Sequence, residues 1–487
     1  MLVGKTKNFY VNTYSRHSGV TGSSYLNSVH WPDGRNVRFL LDAGAAQGKD
    51  NNGFFNCFFP YNTGKISFII VTHGHFDHQG LLPVVVRQGF TGPIFTHFAT
   101  ANLMNVSLYD SCHIADPFSG QNLCDENEVE KTLDLLVGCC TKRVLKPDKN
   151  IRIIFYSNGH LVGAVLTLVV ITCPGEDDIT LLFTGDYKDS NIFFNVETPP
   201  ISVRNLPISA IFCESTYGDV DSTNPIFKKC VQRNSVEALK NGKTIIYPAF
   251  SQGRAQEILY YIKMWKSKGI IPDYTPVYLD GRTAQEFTMK YMYNDLGIKK
   301  MMKNFTPKGL KFVPRTRDRM LYRQNLMESP TPKIIVSSGG MASYGAVTNY
   351  IKHYMSRNDA LIHLLGYCSP DSQGYKLLTT PEGESLTFCG ETSKKMCSVL
   401  KTAEMSAHAP RNKLLALLNS FPYTKSIVIN HGEAETKKNF REYLLENLNL
   451  ASELSEEQVV ISGPEVAFRI ESTGIVDKFA TNFESIL

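Results

Sequence analysis

Six consecutive residues, His73-Gly74-His75-Phe76-Asp77-His78, put three imidazoles and a carboxylate within reach of one another. The chain has 12 histidines in 487 residues, so a quarter of them stand in this one stretch. Imidazole nitrogens and carboxylate oxygens are the ligands that zinc takes, and a merely solvated loop has no use for three histidines. Side chains two apart in extended backbone point the same way, so His73 and His75 can reach one ion while Asp77 and His78 turn toward a second. Two later stretches supply what a two-ion site lacks. Asn158-Gly159-His160-Leu161-Val162-Gly163 sets a histidine between glycines, and Phe183-Thr184-Gly185-Asp186-Tyr187 sets an aspartate after an apolar run. Taken singly, a buried histidine is usually satisfied structurally, and an aspartate at such a place is most often a cap or turn residue. In the order cluster, histidine, aspartate they point to hydrolysis, because a carboxylate can bridge two ions that together activate water and hold a phosphate oxygen.

Such residues need strand ends to hold them. Ile66 to Val71 reads as a buried strand, so the cluster leaves its carboxyl end, where open α/β sheets put their ligand sites. Arg38 to Leu41 is a strand running into Asp42 and Gly44, and Ile151–Tyr156, Ala164–Ile171 and Thr180–Thr184 are three more. Gly80 to Gln88 reads as a short helix. From about residue 218 helices and strands alternate. Helices are expected at Pro225–Lys240, Gly253–Lys266, Arg282–Tyr293 and Gly345–Met355, and strands at Lys243–Ala249, Pro276–Leu279, Lys333–Ser337 and Leu361–Leu365. That alternation implies βαβ units, a parallel sheet and a second domain. The last clear strand, Ser426 to Asn430, precedes a helix from Ala434 to Leu445. Residues 98–147 and 450–487 show no usable pattern.

Length and composition agree with two globular domains. Apolar content is 43%, charged content is 20%, and the net charge of +5 permits a polyanionic partner without demanding one. Eleven cysteines without a Cys-x-x-Cys pair fit a reduced compartment. Met1 to Lys7 has no apolar signal region and no long apolar run follows, so a soluble, cytoplasmic protein without membrane contact is expected.

The motif order resembles the metallo-β-lactamase fold, and the remaining motifs resemble its nucleic-acid-processing branch, the β-CASP nucleases, most closely the RNA-cleaving endonucleases of 3′-end processing. Cys213-Glu214-Ser215-Thr216-Tyr217-Gly218 is similar to that branch's Glu-Ser-Thr-Tyr-Gly element, and Gly253-Arg254-Ala255-Gln256-Glu257 to its Gly-Arg-Ala-Gln-Glu segment. Ser338-Gly339-Gly340-Met341, Ser406-Ala407-His408-Ala409 and Asn430-His431-Gly432-Glu433 resemble its later loops. After Gly366-Tyr367 the family usually has a Gly-Thr pair, and this chain departs from it with Pro370-Asp371-Ser372-Gln373-Gly374.

The resemblance implies a four-layer αββα core from residues 1–212 and 401–487, interrupted by an α/β β-CASP domain at 213–400. It implies one zinc on His73, His75 and His160 and a second on Asp77, His78 and His431, with Asp186 bridging and Mn2+ as a substitute metal. Asp42 is implied to orient a ligand imidazole, His408 to act as the general acid, Glu214 to position it, and Asp77 to share in the catalytic set. Ser338, Gly339, Arg254 and Arg282 are the candidate substrate contacts, although each could equally be a turn or an ordinary surface charge. The implied activity is hydrolysis of single-stranded RNA, endonucleolytic with 5′-exonuclease action as a companion, leaving 5′-phosphates. A histidine at 431, where DNA-repair members typically carry an apolar residue, favours RNA over a DNA substrate. The rival from another class is a non-catalytic nucleic-acid-binding subunit of a processing complex, and a complex partner or a homodimer is compatible with either.

Overall fold

The computed structural model describes residues 8–17, 19–51, 55–113, 115, 120, 122–451 and 453–481. Met1 to Lys7 lie outside them. The chain divides into two compact units, Met1–Ser222 with His408–Leu487, and Thr223–Ala407. The divisions fall ten and seven residues beyond the positions expected from sequence, 212 and 400. The first shift has a structural reason: the strand Ala210–Glu214 pairs on both sides inside the first unit, so the motif that follows it belongs there too.

The first unit is a sandwich of two sheets. One has eight strands in the order Gly474–Ala480, Val466–Glu471, Tyr10–Ser15, Tyr25–His30, Asn36–Leu41, Phe68–Val71, Ile94–His97, Leu136–Cys139. The other has seven, in the order Val459–Ile461, Ile427–Asn430, Ala210–Glu214, Ile179–Phe183, Val165–Ile171, Ile151–Ser157, Val144–Asp148. Phe39 and Phe68 from one sheet pack with Phe155, Phe183 and Phe212 from the other in one buried cluster. Phe68–Val71 and Ile179–Phe183 are covered on both faces, which is why they read as unbroken apolar runs and not as alternation. The helices Leu82–Arg87, Phe98–Ser111 and Glu126–Asp134 cover the outer face of the first sheet through Leu82, Val84, Met104, Leu108 and Val129. Arg411–Asn419 and Ala434–Asn447 cover the second through Leu414, Leu418, Phe440 and Leu444. The result is the four-layer αββα arrangement.

The described residues within 98–147 and 450–487 form regular elements despite their lack of pattern. They supply two helices and two edge strands, and three strands near the carboxyl terminus of which Val466–Glu471 pairs with Tyr10–Ser15. The helix expected at Gly80–Gln88 begins at Leu82, and a separate turn of helix, Phe76–Gln79, carries Asp77 and His78.

The second unit is built on a six-stranded sheet in the order Leu310–Phe312, Val277–Asp280, Ile334–Ser338, Thr244–Ala249, Ala360–Leu364, Ser398–Lys401, with every pairing parallel. The helix expected over Pro225–Lys240 is split into a 3-10 turn, Pro225–Phe227, and a helix, Val231–Lys240. Glu404 accepts hydrogen bonds from the Cys230 and Val231 amides and fixes the helix start there. Among the described residues no helix is long and apolar enough to cross a membrane, and all eleven cysteines are free.

Candidate metal centre

In the first unit four parallel strands of each sheet point their carboxyl ends to one rim. Asn36–Leu41 delivers Asp42, Phe68–Val71 delivers His73 to His78, Ile179–Phe183 delivers Asp186, Ala210–Glu214 ends on Glu214, and Ile427–Asn430 delivers His431. The turn after Ile151–Ser157 adds His160. Asp42 and His431 are both non-glycine residues at positive φ, 58° and 45°, so local backbone preference is overridden at two points of the same site. Gly44 has a plain packing reason: a Cβ there would lie 1.6 Å from the Asp77 carbonyl oxygen, so only glycine lets the chain pass so close to that residue.

The side chains converge on Asp186, whose two oxygens face different partners. Oδ2 lies 3.6 Å from His73 Nε2 and 3.5 Å from His160 Nε2. Oδ1 lies 3.2 Å from His78 Nε2 and 3.3 Å from His431 Nε2. His75 Nδ1 stands 3.0 Å from His160 Nε2 on the first side, and Asp77 Oδ2 stands 3.5 Å from His431 Nε2 on the second. Two groups of potential ligand atoms result, His73, His75, His160 and Asp186, and Asp77, His78, Asp186 and His431, with the atoms of each group within 4.8 Å of one another.

These residues fit a divalent cation on chemical grounds. Nε2 of His73, His78 and His431 and Oδ1 of Asp186 are buried and make no hydrogen bond among the described residues, a state that costs about 1–3 kcal/mol per atom unless something relieves it. Burial pushes His73 well below the ordinary imidazole value, with His78 adding to the effect, and takes His75 to about 4. Burial acts upward on Asp186, but His431 and His78 outweigh it and hold the carboxyl well below its usual range. Neutral His73 and His75 beside an ionised carboxylate are the protonation states a metal requires. His78 goes the other way: burial acts downward on it, but Asp186 and Asp42 outweigh burial and raise it well above the ordinary imidazole value, so a cation there must displace its proton.

A ring of outer contacts fixes these groups. Asp42 accepts hydrogen bonds from the Thr72 amide at 2.8 Å and the Thr72 hydroxyl at 2.9 Å, and stands 2.7 Å from His78 Nδ1. Thr216 Oγ1 is 3.1 Å from His431 Nδ1. His408 Nδ1 is 3.0 Å and 3.1 Å from the two oxygens of Glu214, which in turn accept from the Tyr187 and Thr216 amides. Burial lowers the His408 pKa, but Glu214 and then Asp186 outweigh it and raise the ring above its ordinary value. Its Nε2 is 3.9 Å from Asp186 Oδ2. Thr72, Thr216 and Tyr187 carry no sequence signal of their own, since all three act through a backbone amide, with the two threonine hydroxyls adding a second contact. His17 was also missed. It is 6% exposed, neither ring nitrogen makes a hydrogen bond among the described residues, and burial, with His431 next, drives its pKa to about 3.

The candidate substrate residues belong to the second unit. Ser338 ends the strand Ile334–Ser338 and Gly339 follows it, with φ 116° and no room for a Cβ against the Tyr344 carbonyl. Arg282 opens a helix and remains largely exposed, 3.3 Å from Glu286. Arg254 is the departure from the sequence reading. It is 6% exposed, pairs with Glu257 and donates to the Met405 carbonyl, so its charge is spent inside the unit and not offered to a phosphate.

Comparison with known proteins agrees with this architecture. A model described as "Beta-Casp domain" matches residues 255–377, and one described as "Zn-dependent metallo-hydrolase RNA specificity domain" matches residues 394–454. The chain is 28% identical over 436 residues to ribonuclease TTHA0252 of Thermus thermophilus, covering 85% of this chain and 91% of that one. It is 26% identical over 427 residues to the probable RNase MJ4 of Methanocaldococcus jannaschii, covering 84% and 91%. Similarity to transcription termination factor FttA of Methanosarcina mazei, 27% over 417 residues, covers 81% of this chain and only 63% of that longer protein. With an αββα sandwich, a six-stranded parallel unit inserted in sequence between its two segments and both domain models in place, the chain carries the domains of, and is similar to, the β-CASP group of metallo-β-lactamase-fold nucleases.

Proposed function

We propose that the chain is a zinc-dependent ribonuclease that holds two ions and hydrolyses phosphodiester bonds of single-stranded RNA, mainly from within the strand, leaving 5′-phosphates and 3′-hydroxyls. The observation that carries this reading is the division of Asp186, with Oδ2 toward His73 and His160 and Oδ1 toward His78 and His431. One carboxylate serving two ligand groups is what a two-ion centre needs. His73, His75 and His160 would hold one ion, Asp77, His78 and His431 the other, with Asp186 between. Bound there, the ions would supply Lewis acidity toward water and toward a non-bridging phosphate oxygen.

The chain's own residues supply the rest. Asp42 keeps the His78 ring in one orientation by taking the hydrogen on Nδ1, leaving Nε2 as the ligand atom. Thr216 does the equivalent for His431. Glu214, itself held by two amides, fixes His408 through Nδ1 and stabilises its charged form, in which Nε2 carries the proton that would go to the leaving 3′-oxygen. Support for RNA comes from His431 in the ligand group, from the RNA specificity model over residues 394–454, and from the two relatives whose names state ribonuclease.

The deciding experiment incubates the zinc-loaded protein with a circular single-stranded RNA, beside the His75→Ala and His408→Ala variants. The expected outcome is linearisation by the parent and not by the variants. An intact circle with digestion of a linear 5′-monophosphate RNA would make the protein an exonuclease. No cleavage of either would remove the catalytic reading.

A further inference from the structure

Charge is not shared evenly between the two units. Residues 223–407 carry 27 lysines and arginines against 14 acids, a net of +13, whereas the other residues carry 24 against 32, a net of −8. The mild total of +5 therefore conceals a strongly basic second unit. Within it the surplus is concentrated again. Between residues 299 and 319 eight lysines and arginines stand against one acid, Asp318.

The fold puts the arginines of this stretch at one place. Leu310–Phe312 is the edge strand and runs parallel to Val277–Asp280, so the loop leaving its carboxyl end lies beside the turn at Gly281 and Arg282. Arg315 locks the two together, with Nη2 donating to the Arg282 carbonyl at 3.2 Å, Nε to Gln285 at 2.8 Å and Nη1 to Glu286 at 2.8 Å. Arg317 projects from this fixed loop and Arg319 from the first turn of the helix Arg319–Glu328 that follows it. Both are exposed, and neither forms an ion pair among the described residues. Phe312, also exposed, ends the strand just before them. Surface cations are ordinarily interspersed with acids in comparable number, and here eight of them share a stretch with Asp318 alone. The rim is moreover the carboxyl edge of a parallel sheet, where α/β folds bind ligands. Arginine forks match phosphate oxygens, and a neighbouring aromatic face offers a base something to stack on.

We propose that Arg317, Arg319 and Phe312, steadied by Arg315 and Arg282, form a binding strip for the backbone and a base of single-stranded RNA outside the metal centre. The strip deepens the ribonuclease reading and rests on it for the choice of RNA. It holds the part of the substrate that is not being cut, so it contributes to affinity for long strands.

The test uses the zinc-loaded protein and a 30-nucleotide phosphorothioate oligouridylate, whose backbone keeps its charge and resists hydrolysis, with binding read by fluorescence anisotropy across a salt series. Each phosphate contact to a single strand adds about 0.7 to the slope of log K against log salt. The double variant Arg317→Glu/Arg319→Glu is expected to lose about 1.4 from the slope, which is about 25-fold in affinity at 0.1 M salt taken from a 1 M reference. Phe312→Ala is expected to cost roughly tenfold, with little change in slope. Lys229→Glu/Arg233→Glu, on the exposed face of the helix Val231–Lys240 and the residues before it, makes the same change in total charge and is expected to bind like the parent. Parent-like affinity and slope in Arg317→Glu/Arg319→Glu would overturn the proposal. So would equal weakening in the Lys229/Arg233 pair, which would reduce the effect to total charge, and so would a parent that does not bind. Failure of the parent to cut ordinary oligouridylate would instead defeat the ribonuclease reading and leave the binding result standing.

Discussion

Replacing Asp42 by asparagine isolates the role of one outer contact. Asp42 sits at φ 58°, a conformation that asparagine tolerates and alanine does not, so Asp42→Asn leaves the backbone alone. The carboxylate takes three short hydrogen bonds, two from Thr72 and one at His78 Nδ1, and a longer one from the Ser23 hydroxyl at 3.5 Å. The amide has one oxygen and must turn its NH2 group toward at least one of those donors. If the oxygen stays on the Thr72 amide, His78 loses its acceptor and the ring can rotate or change tautomer. A contact of this kind to a metal-binding histidine is worth about 10–100-fold in metal affinity, roughly 1.4–2.7 kcal/mol. The expected result is a loss of that size at the site containing His78, and a smaller one at the site of His73, His75 and His160. Competition with a chromophoric zinc chelator measures it, and native mass spectrometry counts the ions retained. Two zinc affinities unchanged within about twofold would refute the claim that Asp42 governs His78.

Four other outcomes follow from the geometry. Glu214→Gln removes the carboxylate that raises His408, so the imidazolium loses its proton at lower pH; the alkaline limb of the kcat/KM profile is expected to move down in pH, with a rate loss of about 10²–10⁴ at neutrality. Asp186→Asn is expected to abolish the stabilisation by zinc, which in the parent is about 4 kcal/mol when free zinc stands 1,000-fold above its Kd, as read from urea unfolding. Gly44→Ala forces a methyl group toward the Asp77 carbonyl, and is expected to cost about 1–3 kcal/mol in the same unfolding measurement while lowering zinc occupancy. In the second unit, Asp280→Asn leaves the buried Arg323 without its carboxylate partner and disturbs Tyr350; a destabilisation of about 3–5 kcal/mol is expected, visible as an earlier unfolding transition.

The strands that carry the site were legible because they are buried on both faces and run apolar for four residues or more, as in Phe68–Val71 and Ile179–Phe183. The residues after them stood out by type, and the fold gathers His73 to His78, His160, Asp186, Glu214, His408 and His431 at one rim. What sequence could not supply was contact between distant segments. Val466–Glu471 finds its partner some 450 residues earlier in Tyr10–Ser15, and no local pattern announces that. The helix Phe98–Ser111 has buried residues on several faces, which erases the periodicity by which a helix is recognised. The start of the helix Val231–Lys240 is set by Glu404, far along the chain. Arg254 looked available for phosphate because its motif neighbours are polar, yet the structure uses it as an internal tie to Glu257 and Met405. Backbone donors to Glu214 and the hydroxyl of Thr216 escape any reading based on side-chain type.

The position of His431 has a consequence for how the protein is made. His73, His75, His160 and Asp186 all lie in the first 186 residues, whereas the strand Ile427–Asn430 must find its place beside Ala210–Glu214 only after the whole of Thr223–Ala407 has left the ribosome. At roughly 5–20 residues per second, the 245 residues from Tyr187 through His431 take on the order of 10–50 s to synthesise. During that interval the nascent chain exposes one ligand group complete and the other lacking its last member, with the second sheet open along the edge of Ala210–Glu214. On the two-ion reading proposed above, a cation captured early would be held by the first group alone, and the centre would acquire its second half as one of the last events of biosynthesis. A chain stopped within the second unit would keep only the first ligand group complete and would present an unpaired central strand, prone to aggregation.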